Sequence, residues 1–445
     1  MMQSLRVETS FTRLCGILEK LTIQKIGSEA YTAAWTALHF AFHAHKCAIL
    51  VIVEDETLKA FIPFSNSSYD NRLAWWPHNS LAMCKGSCQS LRPCQHCDAR
   101  EEGAIQTYYA SKLASTRVHE HIVDDVHAWW LNGHIVCNTV APWSLRGTEQ
   151  LRNMVQQGAR ENIGMSVFIL NRRDAPMRRS DANLSPFIAL HGSPHMPLHP
   201  MWRHRPMALF ASFYGGPLFA DALWPPPEHV EVAQKIESAG ENYISGIFPT
   251  PWESRKPIAV FRGTATGVFA DDRNPRIGAA MLSWRTPTML DAGITSPSPR
   301  DRVWKGVVHW APALDARCFK PPLSPAEQAE YKYQLYIEGH SASNRLAWLL
   351  CSGSTLLVVQ PGPTSSCPEQ WFSKHLVAGI HYLSVKHDLS DLISQIQWLK
   401  DHDDAARTMA REMWGFAKRT ITPQAIREHC KAIIRMATFS RVEYL

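Results

Sequence analysis

Three groups of residues have the types and spacing to do chemistry. Two glycine-containing turns follow short apolar runs, FRGTATG at 261–267 and EGHSASNR at 338–345. Small residues at such turns let a backbone approach a ligand, and Arg262 and Arg345 could grip a diphosphate bidentately. Neither turn matches G-x-G-x-x-G or the phosphate loop ending in Gly-Lys-Ser/Thr, so ordinary turns with surface arginines are the alternative. The second group is NRRDAP at 171–176, after an apolar run. Beside Arg172 and Arg173, Asp174 would stay ionised at neutral pH and could act as a general base; an N-cap or a structural ion pair is the alternative. The third is Cys84, Cys88, Cys94 and Cys97, whose C-x3-C-x5-C-x2-C spacing could hold tetrahedral zinc, with His96 nearby, or could be loop cysteines. His119, His121 and His127 form a weaker metal pattern, and the acidic run 401–404 reads as a solvated face.

These residues need elements to position them. CAILVIVE at 47–54 and MSVFILN at 165–171 predict buried strands, the first after a helix. Residues 63–100 read as a long irregular connection, and WPPP at 224–227 ends any central strand or helix. From residue 256 the texture changes. PIAVFR at 257–262, 333–338, 354–359 and 382–385 predict strands; 344–351 predicts a helix, and Asp388 an N-cap for a helix over 389–400. Strand, small-residue turn, helix, strand is the cadence of a parallel α/β sheet, and continuous apolar strands imply cover on both faces. A domain boundary is expected at 246–257, in IFPTPWESRKP.

Composition bounds the classes. The 445 residues are 45% hydrophobic and 19% charged, which suits a globular chain of one to three domains rather than a disordered one. A net charge of +6 over this length is too mild to imply nucleic acid but is compatible with an anionic small ligand. The N-terminus lacks a secretory pattern, no apolar run is long enough to span a membrane, and the 11 cysteines fit reduced thiols. The expectation is a cytoplasmic protein without a membrane span.

Several segments in order resemble glycosyltransferase family 90, the family of protein O-glucosyltransferases and capsule-associated xylosyltransferases, and most closely its homologues in large DNA viruses. They are FILNRRDAP at 168–176, FADALWP at 219–225, VFRGTATG with NPR at 274–276, LDAGIT at 290–295, residues 331–359, and HYLSVKHDLSDL at 381–392. The resemblance covers about 160–420 and implies an α/β, GT-B-type architecture, two Rossmann-like lobes with a cleft between them. On that pattern residues 1–250 form the acceptor-side lobe, with 1–150 matching poorly, 251–425 the nucleotide-sugar lobe, and 426–445 a C-terminal helix and tail. The implied activity is inverting, metal-independent transfer of a sugar, glucose or xylose, from a UDP-sugar to the hydroxyl of a glycan or protein acceptor. No cofactor, metal or nucleic acid is implied. Asp174 matches the family's catalytic base and Arg345 the arginine facing the donor diphosphate. Arg262, Gly263, Thr264 and Thr266 match its donor-side loop, and Glu338, Gly339 and Ser343 its strand-to-helix turn.

Ala175, Glu338 and Asn344 depart from the residues commoner in the family. They motivate an alternative from another class, a catalytically inactive UDP- or sugar-binding module that kept the fold. A zinc-bearing interaction protein built on the 84–97 cysteines is a third.

Overall fold

The computed structural model describes residues 2–45, 47–65, 130–131, 145–171, 176–178, 201–202, 205–239, 248, 250–267, 269, 271–297, 302–304, 307–309, 314–362 and 368–439. The four candidate zinc cysteines, the three histidines of 119–127 and Asp174 lie outside them. Among the described residues no helix is long and apolar enough to cross a membrane.

The fold is mixed α/β with two main sheets. The chain opens with α1 (Met2–Phe40), broken at Gly27, whose φ of 78° lies in the region that favours glycine. A π-helical turn, Ala41–His45, leads into β1 (Cys47–Glu54), then β2 (Thr57–Ser65). β3 (Trp130–Leu131), α2 (Leu145–Gly158), β4 (Met165–Leu170), β5 (Leu209–Ser212), β6 (Ala222–Leu223) and α3 (Pro227–Ala239) follow. The first sheet runs β3-β2-β1-β4-β5-β6. It is mixed: β1 pairs antiparallel with both β2 and β4, whereas β4, β5 and β6 are mutually parallel. The sequence marks β1 but not its hairpin partner β2, whose last residues fall in the stretch from 63 expected to be irregular.

β1 shows why a continuous apolar run was needed. Ala48, Leu50 and Ile52 join a core with Leu14, Leu18 and Leu38 of α1; Ile49, Val51 and Val53 face the opposite core with Leu151 and Val155 of α2. Both faces are covered, so alternation is lost. Each such fully buried aliphatic side chain contributes roughly 1.5–3 kcal/mol.

The second sheet contains β7 (Lys256–Gly263), β8 (Leu290–Ile294), β11 (Tyr331–Tyr336), β12 (Thr355–Val359) and β13 (Leu383–Val385). A small hairpin of β9 (Arg302–Trp304) and β10 (Val307–His309) lies outside it. The order is β13-β12-β11-β7-β8, and every pair is parallel. From β7 the chain passes through α4 (Pro275–Arg285) to β8 on one side. It then returns through α5 (Pro325–Gln328) to β11 on the other side of β7. The order therefore reverses between β7 and β11, the switch point outside whose carboxyl ends doubly wound sheets bind ligands.

α6 (Leu346–Leu350) is a single turn, shorter than the 344–351 expected. α7 (Leu392–Asp401), α8 (Asp403–Thr420) and α9 (Pro423–Met436) complete the helices. Asp388 does not cap α7. Its Oδ1 accepts from Ser390 N at 3.0 Å, and Leu389 has φ 61°, so the chain makes a turn there and the helix starts after Asp391. Nor is the acidic run at 401–404 only solvated: Asp403 accepts from Lys332 Nζ at 2.6 Å and Trp252 Nε1 at 2.9 Å. The C-terminal segment crosses back to the first sheet. Ile426, Cys430 and Ile434 of α9 join the core with Leu151 and Val155, and β14 (Thr438–Phe439) pairs with β4.

Candidate active site

The two glycine turns meet at the switch point. β7 ends in Gly263, and its loop returns at Asn274, the N-cap of α4. Asn274 Oδ1 accepts from Arg276 N at 3.0 Å while its Nδ2 donates to the carbonyls of Thr266 and Phe269, at 3.1 and 2.9 Å. Pro275 takes the first helical position, where no N–H is missed. One side chain thus closes the loop and starts the helix.

Arg276 ties that loop to the second turn. Its Nη1 donates to Thr264 O at 3.0 Å and Thr266 Oγ1 at 2.6 Å; its Nε and Nη2 donate to the carbonyls of Glu338 and Ile337, at 2.8 and 2.9 Å. Arg276 is 4% exposed. The turns approach so closely that a Cβ on Gly339 would lie 2.5 Å from Thr266 Oγ1, so glycine is required there. A cavity opens beside this clamp, walled by Phe269, Asn274, Glu338, Gly339, Val359 and His387. At its mouth Arg273 pairs with Asp271 (Nη2 to Oδ2, 2.6 Å) and lies 4.4 Å over the Phe269 ring.

Arg345 enters from the other side of Gly263. Its Nη1 donates to the Arg262 carbonyl, its Cζ is 5.3 Å from the Phe261 ring, and its Nη2 lies 3.2 Å from where a Gly263 Cβ would be. Arg276 Nη1 is 3.5 Å from that same point, so two guanidinium groups flank the bare Cα. Burial pulls the Arg345 guanidinium below its ordinary value, with Tyr336 acting weakly the other way. Among the described residues the buried Nε–H of Arg345 has no hydrogen-bond partner. An unmet buried donor on a cation costs several kcal/mol of solvation, and an anion would meet it.

The structure therefore brings Gly263, Thr264, Thr266, Glu338, Gly339 and Arg345 together. Ser343 lies farther along the turn, its N–H given to Tyr336 Oη and its carbonyl accepting from Gln370 Nε2, each at 2.8 Å. Arg262 points to the opposite face of β7 from Gly263. All five of its donors meet protein acceptors: Pro321 O at 3.1 Å, Phe261 O at 3.0 Å, Asp291 O at 2.7 Å, and both Asp291 carboxylate oxygens at 3.0 Å. Lys320 Nζ and Tyr331 Oη also donate to Asp291, at 2.7 and 2.8 Å. In this arrangement Arg262 is a structural ion pair. Asn274, Arg276 and Asp291 were not singled out from sequence. The signal was there in NPR and LDAGIT, but pattern alone gave those residues no partners. Among the described residues no three His, Cys, Asp or Glu side chains are grouped to hold a metal ion.

Residues 231–436, which contain this whole arrangement, match the model of glycosyl transferase family 90. The match spans a little under half of the chain. The chain is 28% identical over 88% of its length to an uncharacterized protein of Invertebrate iridescent virus 3, covering 35% of that protein. It is 30% identical over 64% of its length to an uncharacterized protein of Frog virus 3, covering 32% of it. Protein O-glucosyltransferase 1 of Rattus norvegicus is 30% identical over 38% of this chain and 39% of its own length. The chain thus spans about a third of the length of these viral relatives. The switch-point turns, the Arg276 clamp and the Asp291 ion pair all fall inside the matched segment.

Proposed function

We propose that this chain is a glycosyltransferase that takes its sugar from a UDP-sugar bound at the β7–β11 switch point. The observation that carries the reading is the buried, unmet Nε–H of Arg345 beside Gly263, at the end of a parallel sheet where the order of strands reverses. A diphosphate there would accept from Arg345, and the adjacent cavity would hold the rest of the donor. Protein O-glucosyltransferase relatives support sugar transfer as the class of reaction.

The finer assignments follow the family pattern. The two sheets would act as the two lobes of a GT-B enzyme. Asp174, four residues after β4 in the sequence, takes the proton of an acceptor hydroxyl. The acceptor oxygen forms its bond to the anomeric carbon as the bond to the β-phosphate oxygen breaks, and UDP leaves with that electron pair. One displacement inverts the anomeric centre. Charge growing on UDP is met by Arg345, so no divalent ion is required, and removing that guanidinium should cost about 10²–10³ in rate. Glucose and xylose are the donors proposed, with a glycan or protein hydroxyl as acceptor.

The test is UDP release by the purified chain from a panel of UDP-sugars, with and without EDTA, beside Asp174→Asn. Turnover of one donor that survives EDTA and is lost in Asp174→Asn is expected. UDP binding without turnover of any donor would favour the inactive binding module, and turnover by Asp174→Asn at the wild-type rate would remove Asp174 as the base.

A further inference from the structure

Arg345 stands at the N-cap of α6, a helix of only five residues, and its side chain makes no capping hydrogen bond. So short a helix cannot fix its own start, and the aim of Arg345 must be set by the turn that leads into it. That turn is gripped at Ser343, two residues earlier. The Ser343 N–H donates to Tyr336 Oη, and the Ser343 carbonyl accepts from Gln370 Nε2, each at 2.8 Å, and from Leu346 N at 3.1 Å. Tyr336, the last residue of β11, is 3% exposed, and Gln370 is fully buried. Tyr336, Ala342 and Leu346 pack in one core with Trp371 and Phe372, the two residues that follow Gln370.

Gln370 is itself anchored. Its N–H donates to Ser373 Oγ at 2.9 Å, and its carbonyl accepts from Ser373 N at 3.0 Å. The preceding residue, Glu369, exchanges two backbone hydrogen bonds with Gly215, at 2.9 and 3.0 Å. The turn is therefore held at its start by Arg276, through the Ile337 and Glu338 carbonyls, and near its end by Tyr336 and Gln370. Tyr336 also lies close enough to the Arg345 guanidinium to oppose the effect of burial on it. Removing the phenol oxygen would leave the partly buried Ser343 N–H without its acceptor, and the backbone two residues before Arg345 would move to find another.

We propose that Tyr336 is a positioning residue for the donor diphosphate: with Gln370 it fixes the Ser343 backbone and so aims Arg345 across Gly263. The inference rests on the reading of Arg345 as the diphosphate's partner. Neither Tyr336 nor Gln370 is among the residues lining the cavity beside the Arg276 clamp. Their loss should therefore fall on the diphosphate and spare the nucleoside.

The experiment measures UDP and uridine binding by calorimetry in the full chain, for wild type, Tyr336→Phe, Gln370→Met, Arg345→Met and Tyr333→Phe. Tyr333→Phe is the matched control. It removes the same hydroxyl three residues earlier on β11, where Tyr333 Oη has no hydrogen-bond partner among the described residues and the ring packs in the opposite core with Phe261 and Leu392. Tyr336→Phe is expected to lower the preference for UDP over uridine by at least ~10-fold, the loss of one misaimed charge-assisted hydrogen bond. Its uridine affinity should stay within about twofold of wild type, and Tyr333→Phe should change neither value. Gln370→Met should shift the preference in the same direction, and it decides the matter if Tyr336→Phe does not fold. A wild-type preference in folded Tyr336→Phe, with the preference lost in Arg345→Met, overturns the inference and leaves Arg345 in place. An equal fall in uridine and UDP affinity, or an equal loss of preference in Tyr333→Phe, would mark a general structural role and overturn it as well. No preference for UDP in wild type, or a preference that Arg345→Met keeps, overturns the donor-site reading and this inference with it.

Discussion

Asp291→Asn should destabilise the second sheet without altering the lining of the cavity. Asp291 receives Arg262, Lys320 and Tyr331. Burial raises its carboxyl, but the three donors outweigh it and bring the value down from 3.8 to about 2. A fall of about two units corresponds to about 2.5 kcal/mol of stability. Because the folded value is depressed, that contribution is full above the unfolded value near 4 and is lost as pH falls from there through about 2. The asparagine variant also leaves Arg262, 7% exposed, without its counter-ion. Removing one partner of a buried pair costs about 3–5 kcal/mol. Urea unfolding at pH 7 should therefore show Asp291→Asn about 3 kcal/mol less stable than wild type, with the gap narrowing by about 1 kcal/mol at pH 3. Arg262→Met should lose a similar amount, and the double variant far less than the sum. A gap below about 0.5 kcal/mol at pH 7, or one that does not change with pH, would refute the ion-pair reasoning. Loss of UDP affinity in Arg262→Met but not in Asp291→Asn would return Arg262 to the donor site.

Gly339→Ala should separate the two turns, since its Cβ would meet Thr266 Oγ1 at 2.5 Å and Arg276 Nη2 at 3.1 Å. Overpacking of this kind costs about 1–3 kcal/mol, and calorimetry should show weaker UDP binding, unlike Gly16→Ala, where nothing lies within 4 Å of the added carbon. His39 is pulled down to about 4 by burial and then by His43, and its Nδ1 accepts from Trp202 Nε1 at 3.0 Å. The fold therefore favours neutral His39: its stabilisation is full above about 6.5 and is lost as pH falls from there toward about 4. Tryptophan fluorescence should follow that loss, and His39→Gln should flatten it; an unchanged profile would show that His39 does not titrate in this range.

The elements that sequence revealed are those whose burial is two-sided. The run at 47–54 was legible because both cores of the first sheet press on it, and the strands of the second sheet because parallel sheets leave no polar alternation. What the pattern concealed is order and partnership. Nothing in 47–65 announces that β1 pairs antiparallel with both neighbours, or that β14 closes on β4 from more than 260 positions away. Leu389 takes a left-handed turn that propensity does not foresee, which moved the start of α7. In the site, glycine spacing located both turns and Arg345. It did not distinguish Arg262 from Arg276, because which arginine faces the ligand depends on strand phase: one residue along β7 separates the face of Gly263 from the face of Asp291. Asn171 Nδ2 donates to Ser212 Oγ, 41 positions away, and Ser212 Oγ to Asp221 Oδ2, nine further on, and such pairing has no local signature.

Competition between UDP and uridine tests the central claim most directly. If the switch point seats a diphosphate on Arg345, calorimetry should show wild type binding UDP at least ~10²-fold more tightly than uridine, a difference of about 2.7 kcal/mol. Arg345→Met should keep its uridine affinity while losing most of that preference. The uridine value is its own check that the site remains folded. Equal binding of UDP and uridine by wild type, or a preference that Arg345→Met leaves intact, would contradict a nucleotide-sugar donor held at this site.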